Sequence, residues 1–280
     1  MENLKAIKNR IRTIDSIVKA TNAMKMVATA NLSRISNSNK FSKKCCDALL
    51  DMISKAVSEA AFENRLDQDS WVNRKSGKTL IVILSTDQGF CGSFRQAITE
   101  AARKVTTEYG DSYIEIFGKK GLLHTKNRSV LNVESIRMSN VAEFARLLAE
   151  VVMKYVLHHE VLDVFLISGK MRNMLSQIAR CTKILPIERS EVLDSEYVSV
   201  EGPRQEFINS AFNMYISRLL VAMVTEHLVA EYAARVMAMD SSVRNANSIR
   251  DKLSVLYNNI RQAKITQELT EIVASIECVQ

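Results

Sequence analysis

The chain has 280 residues, of which 47% are apolar and 25% charged, and a net charge of +7. That balance excludes disorder, and the odd count of five cysteines, none in a CxxC pair, excludes a secreted disulfide framework and points to a reducing compartment. The longest wholly apolar runs, Leu80–Leu84 and Leu219–Val224, are far too short to span a bilayer. All eight glycines and both prolines fall between positions 77 and 203, leaving flanks of 76 and 77 residues with neither. Gly and Pro punctuate turns, so the flanks read as long uninterrupted helices around a middle segment of different character.

The N-terminal flank opens on a charged amphipathic pattern with no apolar stretch, so no secretory signal is expected. Leu4, Ile7, Ile11, Ile14, Val18, Thr21, Lys25, Ala28, Leu32 and Ile35 alternate steps of three and four, the seam of a coiled coil. Leu49, Leu50, Ile53 and Val57 resume the pattern, and the helix is expected to run to about residue 60. Residues 1–44 hold ten basic and two acidic side chains. Such an arm suits nucleic acid, anionic lipid or an acidic protein surface. Phe41 is the only aromatic residue before Phe62, which disfavours base stacking and leaves an acidic protein partner or a plain solvated face.

In the middle segment the period changes. Thr79–Ser85, Tyr113–Phe117 and Val164–Ser168 read as buried strands, and Phe94–Tyr109 and Val141–Leu157 as helices between them. This alternation predicts a mostly parallel sheet with covering helices. Lys183–Glu188 (KILPIE) reads as a further strand, placed at an edge by Pro186. Gly202-Pro203 then marks the start of a C-terminal helix. Its seam reads as Phe212, Leu219, Ala222 and Val229, then Ile249, Leu253, Leu256, Ile260 and Ala263, then Ile265, Leu269, Ile272, Ile276 and Val279. Phase slips are expected near 240–247 and near 264. The simplest assembly pairs the two terminal helices antiparallel around an inserted α/β domain, in three parts: 1–60, 77–203 and 204–280.

Motifs for chemistry are weak. Gly77-Lys78-Thr79 lacks the upstream glycine of a phosphate loop, because position 72 is valine, and it leads into a strand rather than a helix. Asp87-Gln88-Gly89-Phe90-Cys91-Gly92 lies where α/β folds often bind ligands, but it lacks dinucleotide spacing and reads as a tight turn. His124, His158, His159 and His227 have no metal-ligand spacing. A stand-alone scaffold with a ligand-binding α/β domain remains open at this point, and a nucleotide-dependent enzyme does not.

Several segments also resemble a known family. IVKATNAMKMVATANL (17–32) is similar to the N-terminal signature of F-type ATP synthase gamma subunits, and RQAKITQELTEIV (261–273) to their C-terminal one. EYAARVMAM (231–239), STDQGFCGSF (85–94) and ILPIE (184–188) fit as well, so the resemblance runs from about residue 4 to 274. It implies a long antiparallel coiled coil of the terminal helices with an inserted Rossmann-like α/β domain. The implied role is the rotating central stalk of the F1 part of a proton-translocating ATP synthase, coupling proton flow to ATP synthesis. The implied partners are the alpha, beta, epsilon and c-ring subunits, with no nucleic acid, and the membrane is met only through the complex. That places the chain at the cytoplasmic face of a bacterial inner membrane. No catalytic residue or cofactor is implied for this chain, since ATP, ADP and Mg2+ belong to partner subunits. Met24 and Lys25, interrupting the seam, match positions facing an acidic lever of beta. Arg235 matches an arginine near that region. Arg261 and Gln262 match residues that bond a catch loop on beta, with Thr266 and Glu271 in the same zone. Glu201 matches the approximate contact with the c-ring. The family's small-residue tail is replaced here by Ala274–Gln280, with bulk and a charge.

Overall fold

A computed structural model describes residues 4–62, 77–118, 141–158, 161–186 and 204–277. In chain order the elements are α1 (Leu4–Phe62), β1 (Lys78–Leu84), α2 (Phe94–Glu108), β2 (Ser112–Phe117), α3 (Val141–His158), β3 (Val161–Asn173), β4 (Ser176–Leu185) and α4 (Arg204–Glu277). The two breaker-free flanks are thus single helices of 59 and 74 residues. The chain forms two compact units, Met1–Ala28 with Val236–Gln280, and Thr29–Arg235.

In the first unit α1 and α4 pack antiparallel. Lys25 meets Asp240 and Asp15 meets Arg250, so numbers rise on one helix as they fall on the other. The predicted α1 seam is correct: Leu4, Ile7, Ile11, Ile14, Val18, Thr21, Lys25 and Ala28 are all buried or half-buried. The α4 seam needs correction. It runs Met239, Val243, Ala246, Arg250, Leu253, Tyr257 and Ile260, with no slip at 240–247, whereas Ile249, Leu256 and Ala263 are exposed. A reading by apolarity prefers Ile249 and Leu256. Arg250 and Tyr257 take the seam because each covers it with an apolar stem or ring while its polar end reaches the edge. The same register sets Leu4 across from Arg261. Beyond that point every described side chain of α4, Arg261 to Ser275, is exposed.

The second unit holds one four-stranded sheet of order β2-β1-β3-β4. β1 pairs parallel with β2 and β3, while β4 returns antiparallel along β3 as an edge. β1 is central and its residues Leu80–Leu84 are buried on both faces, which is why it is wholly apolar. One face (Ile81, Ile83, Ile114, Ile116) is covered by Phe94, Ile98 and Ala102 of α2, spaced four apart on one side of that helix. The other face (Leu80, Val82, Leu84, Leu166) packs against Phe144, Leu148 and Val152 of α3, Phe212, Ile216, Leu220 and Leu228 of α4, and Leu32 and Ile35 of α1. α4 is buried almost all round over this stretch, as its apolar run anticipates.

The strand expected at Lys183–Glu188 begins earlier, at Ser176, and ends before Pro186; residues 187 and 188 lie outside the described residues. Its first seven residues, SQIARCT, are half-buried or exposed, so they carry no apolar run to read. Where β1 and β2 end, Ser85 N–H donates to Phe117 O at 2.7 Å, and Gly118 follows at φ +106°. A Cβ there would sit 2.6 Å from Ser85 O. Gly118→Ala is therefore expected to cost about 1–3 kcal/mol through strain and crowding. A urea midpoint unchanged from that of the parent chain would contradict this.

Candidate functional site

Two groups of side chains stand out, one in each unit. In the first unit the seam carries charges. Lys25 Nζ lies 2.5 Å from Asp240 Oδ1, and Arg244 Nη1 lies 2.8 Å from the other oxygen of the same carboxylate. The hydrogen bond from Lys25, with the charge of Arg244 behind it, holds Asp240 below the usual carboxylate range. Solvent-screened pairs of this kind contribute little to stability. Their main effect is on register, because a slipped pairing leaves a cation in the seam without its acid.

Only Lys25 of the expected pair interrupts the seam. Met24 points outward at 49% exposure, on a stripe with Ile17, Ala20 and Val27 at spacings of three and four. Arg261, Gln262, Thr266 and Glu271 all lie on the exposed end of α4, where Thr266 Oγ1 donates to Gln262 O at 3.0 Å and Glu271 accepts from Gln267 at 2.9 Å. Ile265, Leu269 and Ile272 form an exposed apolar stripe along the same end. Glu201 lies outside the described residues.

In the second unit His227, Glu231 and Arg235 follow one another at spacings of four on α4, so they share a face, and all three are buried. Arg235 Nη2 bonds Glu231 Oε1 at 2.5 Å. Its Nη2 and Nε also lie 3.5 and 3.4 Å from the backbone oxygens of Gln88 and Gly89, in the loop at the carboxyl end of β1. His227 Nδ1 accepts from Gly169 N–H of β3 at 3.0 Å, and its Nε2 lies 3.9 Å from Glu231 Oε2. Burial drives His227 down to about 4, so it is neutral at physiological pH. Burial pushes the Glu231 carboxyl up, against the opposing pull of Arg235. Tyr232, whose ring lies 5.3 Å from the guanidinium carbon, also has its hydroxyl pushed up by burial. Helix α4 thus grips the β1 loop, and the loop presents Phe90 on left-handed backbone (φ 63°) at 69% exposure. Arg235 itself is an internal anchor whose outward reach runs through that loop.

Sequence reasoning missed Asp240, Glu231 and the role of His227. Three polar residues four apart inside the apolar run 219–239 were the available signal for two of them. Asp240 needs the correct α4 register. Lys78 of the discarded phosphate-loop tripeptide opens β1 and pairs with Asp111 at 3.1 Å, which raises its affinity for the proton. Cys91 is buried, and His124 and His159 lie outside the described residues. Among the described residues no group of three or more His, Cys, Asp or Glu is placed to hold a metal, and no helix is long and apolar enough to cross a membrane.

Long paired terminal helices with an inserted four-stranded sheet domain define a protein of the helical-stalk class. Residues 3–279 match the family model described as ATP synthase. The chain is 30% identical to the ATP synthase gamma chain of Geotalea daltonii over 292 residues, covering all of both, and 30% identical to that of Clostridium acetobutylicum over 278 residues, 98% and 97% of the two chains. In fold it is similar to a chain of the Euglena gracilis mitochondrial ATP synthase rotor in rotational state 1 (TM-score 0.64, 16% identity, 94% and 98% covered). It is also similar to one from the central stalk and c-ring of the Tetrahymena thermophila mitochondrial enzyme (TM-score 0.54, 18% identity, 80% and 99% covered). The chain belongs to the ATP synthase gamma chain family, and as a gamma chain it is a non-catalytic subunit of that complex.

Proposed function

We propose that this chain is the rotating central stalk of a proton-translocating ATP synthase, transmitting torque between the membrane c-ring and catalytic sites on the beta subunits. The observation that carries the reading is the antiparallel seam of α1 and α4, unbroken by Gly or Pro, with its register marked by the Lys25–Asp240 pair and by Asp15 lying 3.9 Å from Arg250. Two helices zipped this way resist twisting, which a torque-bearing element requires. The names of the structural neighbours, a rotor and a central stalk with c-ring, support the same role. In this reading residues 1–60 and 204–280 are the stalk and 77–203 the foot. Alpha, beta, epsilon and c-ring subunits are the partners, nucleotide and Mg2+ stay on those partners, and the chain sits peripherally at the cytoplasmic face of a bacterial inner membrane.

Met24, Lys25, Arg261, Gln262, Thr266 and Glu271 then contact beta directly, Arg235 acts there through the loop it holds, and Glu201 meets the c-ring. Tagged chain purified from its native cell is expected to bring down alpha, beta and epsilon, and recovery of none of them would end the rotor reading. A finer test is Met24→Lys. The new cation would be exposed and unmatched, since Asp240 already holds Lys25, so it binds an acidic lever too tightly and lowers the number of protons pumped per ATP hydrolysed. An unchanged pumping ratio would count against the contact.

A further inference from the structure

β3 pairs with β1 only as far as Ile167. From Ser168 to Asn173 its only strand neighbour among the described residues is β4, so these residues and Ser176–Arg180 form a two-stranded ribbon leaving the sheet. Residues alternate between faces along a strand, and directly opposed residues share a face. Gly169, Met171 and Ala179 lie on one face, and that face is turned to the protein: Gly169 donates to His227 and lies against Phe94 and Ala230, while Met171 and Ala179 border the core. Ser168 opposite Arg180 and Lys170 opposite Ile178 make up the other face, and Arg172 follows two residues after Lys170.

Beyond the buried Ser168, that second face is basic and unmatched among the described residues. Lys170, Arg172 and Arg180 make no ion pair with any described residue, and no acidic residue occurs between Asp163 and Glu188. At the ribbon's tip Leu175 is 77% exposed, beside exposed Met174. The tip is held in one shape: Asn173 Oδ1 accepts from the N–H groups of Leu175 and Ser176 at 3.0 and 2.7 Å, and Gln177 Nε2 donates to the carbonyl oxygens of Asn173 and Met174. A large apolar side chain on a preorganised turn loses little entropy when a partner covers it.

We propose that this ribbon docks against an acidic segment of a neighbouring protein subunit, whose carboxylates lie along Lys170, Arg172 and Arg180 while an apolar recess receives Leu175. The inference rests on the rotor reading for the assembly that supplies the neighbour. Charge complementarity favours an acidic partner and a fast, oriented encounter. A protein fits better than a lipid surface, because the cations lie along one face of the ribbon instead of surrounding a tip that would enter a membrane. Nucleic acid fits worse, because Ser168–Arg180 contains no aromatic residue on which a base could stack.

The test places benzoylphenylalanine at Leu175 in the full chain, purifies the complex that contains it, irradiates, and identifies the crosslinked peptide by mass spectrometry. The expected result is a crosslink to a carboxylate-rich segment of another protein subunit. Its yield should fall about tenfold when Lys170→Glu, Arg172→Glu and Arg180→Glu are combined, and severalfold as salt is raised. If the glutamate combination fails to assemble, the corresponding glutamine variant must still lower the yield. Crosslinking to lipid, to nucleic acid or to a segment without carboxylates would overturn the inference, as would no crosslink or a yield indifferent to charge. Absence of synthase subunits from the purified complex is seen before irradiation and counts against the rotor reading. The ribbon is then judged by what position 175 captures in the complex the chain does occupy.

Discussion

Replacing Glu231 by alanine is expected to destabilise the sheet-bearing unit by about 3–5 kcal/mol, because it leaves the Arg235 guanidinium buried without its counter-charge. The side chains of Glu231 and Arg235 are only 6% and 9% exposed, so water cannot take the place of the lost carboxylate. The other acceptors within hydrogen-bond distance of Arg235 among the described residues, the backbone oxygens of Gln88 and Gly89, are neutral and lie at 3.5 and 3.4 Å, near the limit of a useful hydrogen bond, and Asp87 of the same loop acts on the cluster by its charge. Removing both charged groups together tells a burial penalty from a specific attraction. Glu231→Leu combined with Arg235→Met should recover most of the loss, since an apolar pair of similar volume needs no solvation. Urea denaturation of the purified chain reads both effects. A single-variant loss below about 1 kcal/mol, the scale of an exposed pair, would show the cluster to be hydrated. In the Glu231→Ala chain the amides of the Gln88–Phe90 loop should also exchange faster, because the anchor that ties them to α4 is weakened.

The elements that could be read from sequence are those whose burial is uniform. Leu80–Leu84 is wholly apolar because β1 is covered on both faces, and the α1 seam is regular because one stripe of it alone is buried. Reading failed where a side chain is apolar only in part. Arg250 and Tyr257 occupy the α4 seam, and apolarity alone prefers their exposed neighbours Ile249 and Leu256. β4 is legible only at its end, since its first seven residues are half-buried or exposed and carry no apolar run. Among the candidate contacts, Lys25 could be read as a charge in the seam, but its partner Asp240 lies 215 residues away and follows only from the register. Arg235 could be read as a position of interest. That its guanidinium faces inward to a loop, with Glu231 and His227 on the same side of the helix, depends on how α4 rolls against the sheet, and the helix is apolar nearly all round there.

His227 makes the same cluster sensitive to acid in a way whose sign is fixed. Its Nδ1 accepts a hydrogen bond from Gly169 N–H, so a proton on that nitrogen would face another donor, and burial already drives the folded value from 6.5 to about 4. A basic group with a lowered folded value contributes its full stability above 6.5 and loses it as pH falls towards 4, since only the unfolded chain takes up the proton in that window. The loss amounts to about 3 kcal/mol between the two limits. The groups facing His227 are Asp87 and the Ser85 backbone after β1, Gly169 of β3 and Glu231 on its own helix. Glu231 works in the other direction: burial raises its folded value above 4.5, so its contribution is present below that pH and fades above it. The two variants should therefore change the acid limb oppositely. His227→Gln, which can still accept from Gly169 N–H, should flatten the fall in the urea midpoint between pH 6.5 and 4, and Glu231→Gln should steepen it. If His227→Gln left the limb as steep as in the parent chain, the acid sensitivity would belong to carboxylates and not to His227. Because Glu231 is the link between His227 and Arg235, acid that charges His227 should also free the loop carrying Phe90. Hydrogen exchange at Gln88–Phe90, corrected for its intrinsic pH dependence, would then speed up as pH falls towards 4 in the parent chain, and to a smaller degree in His227→Gln.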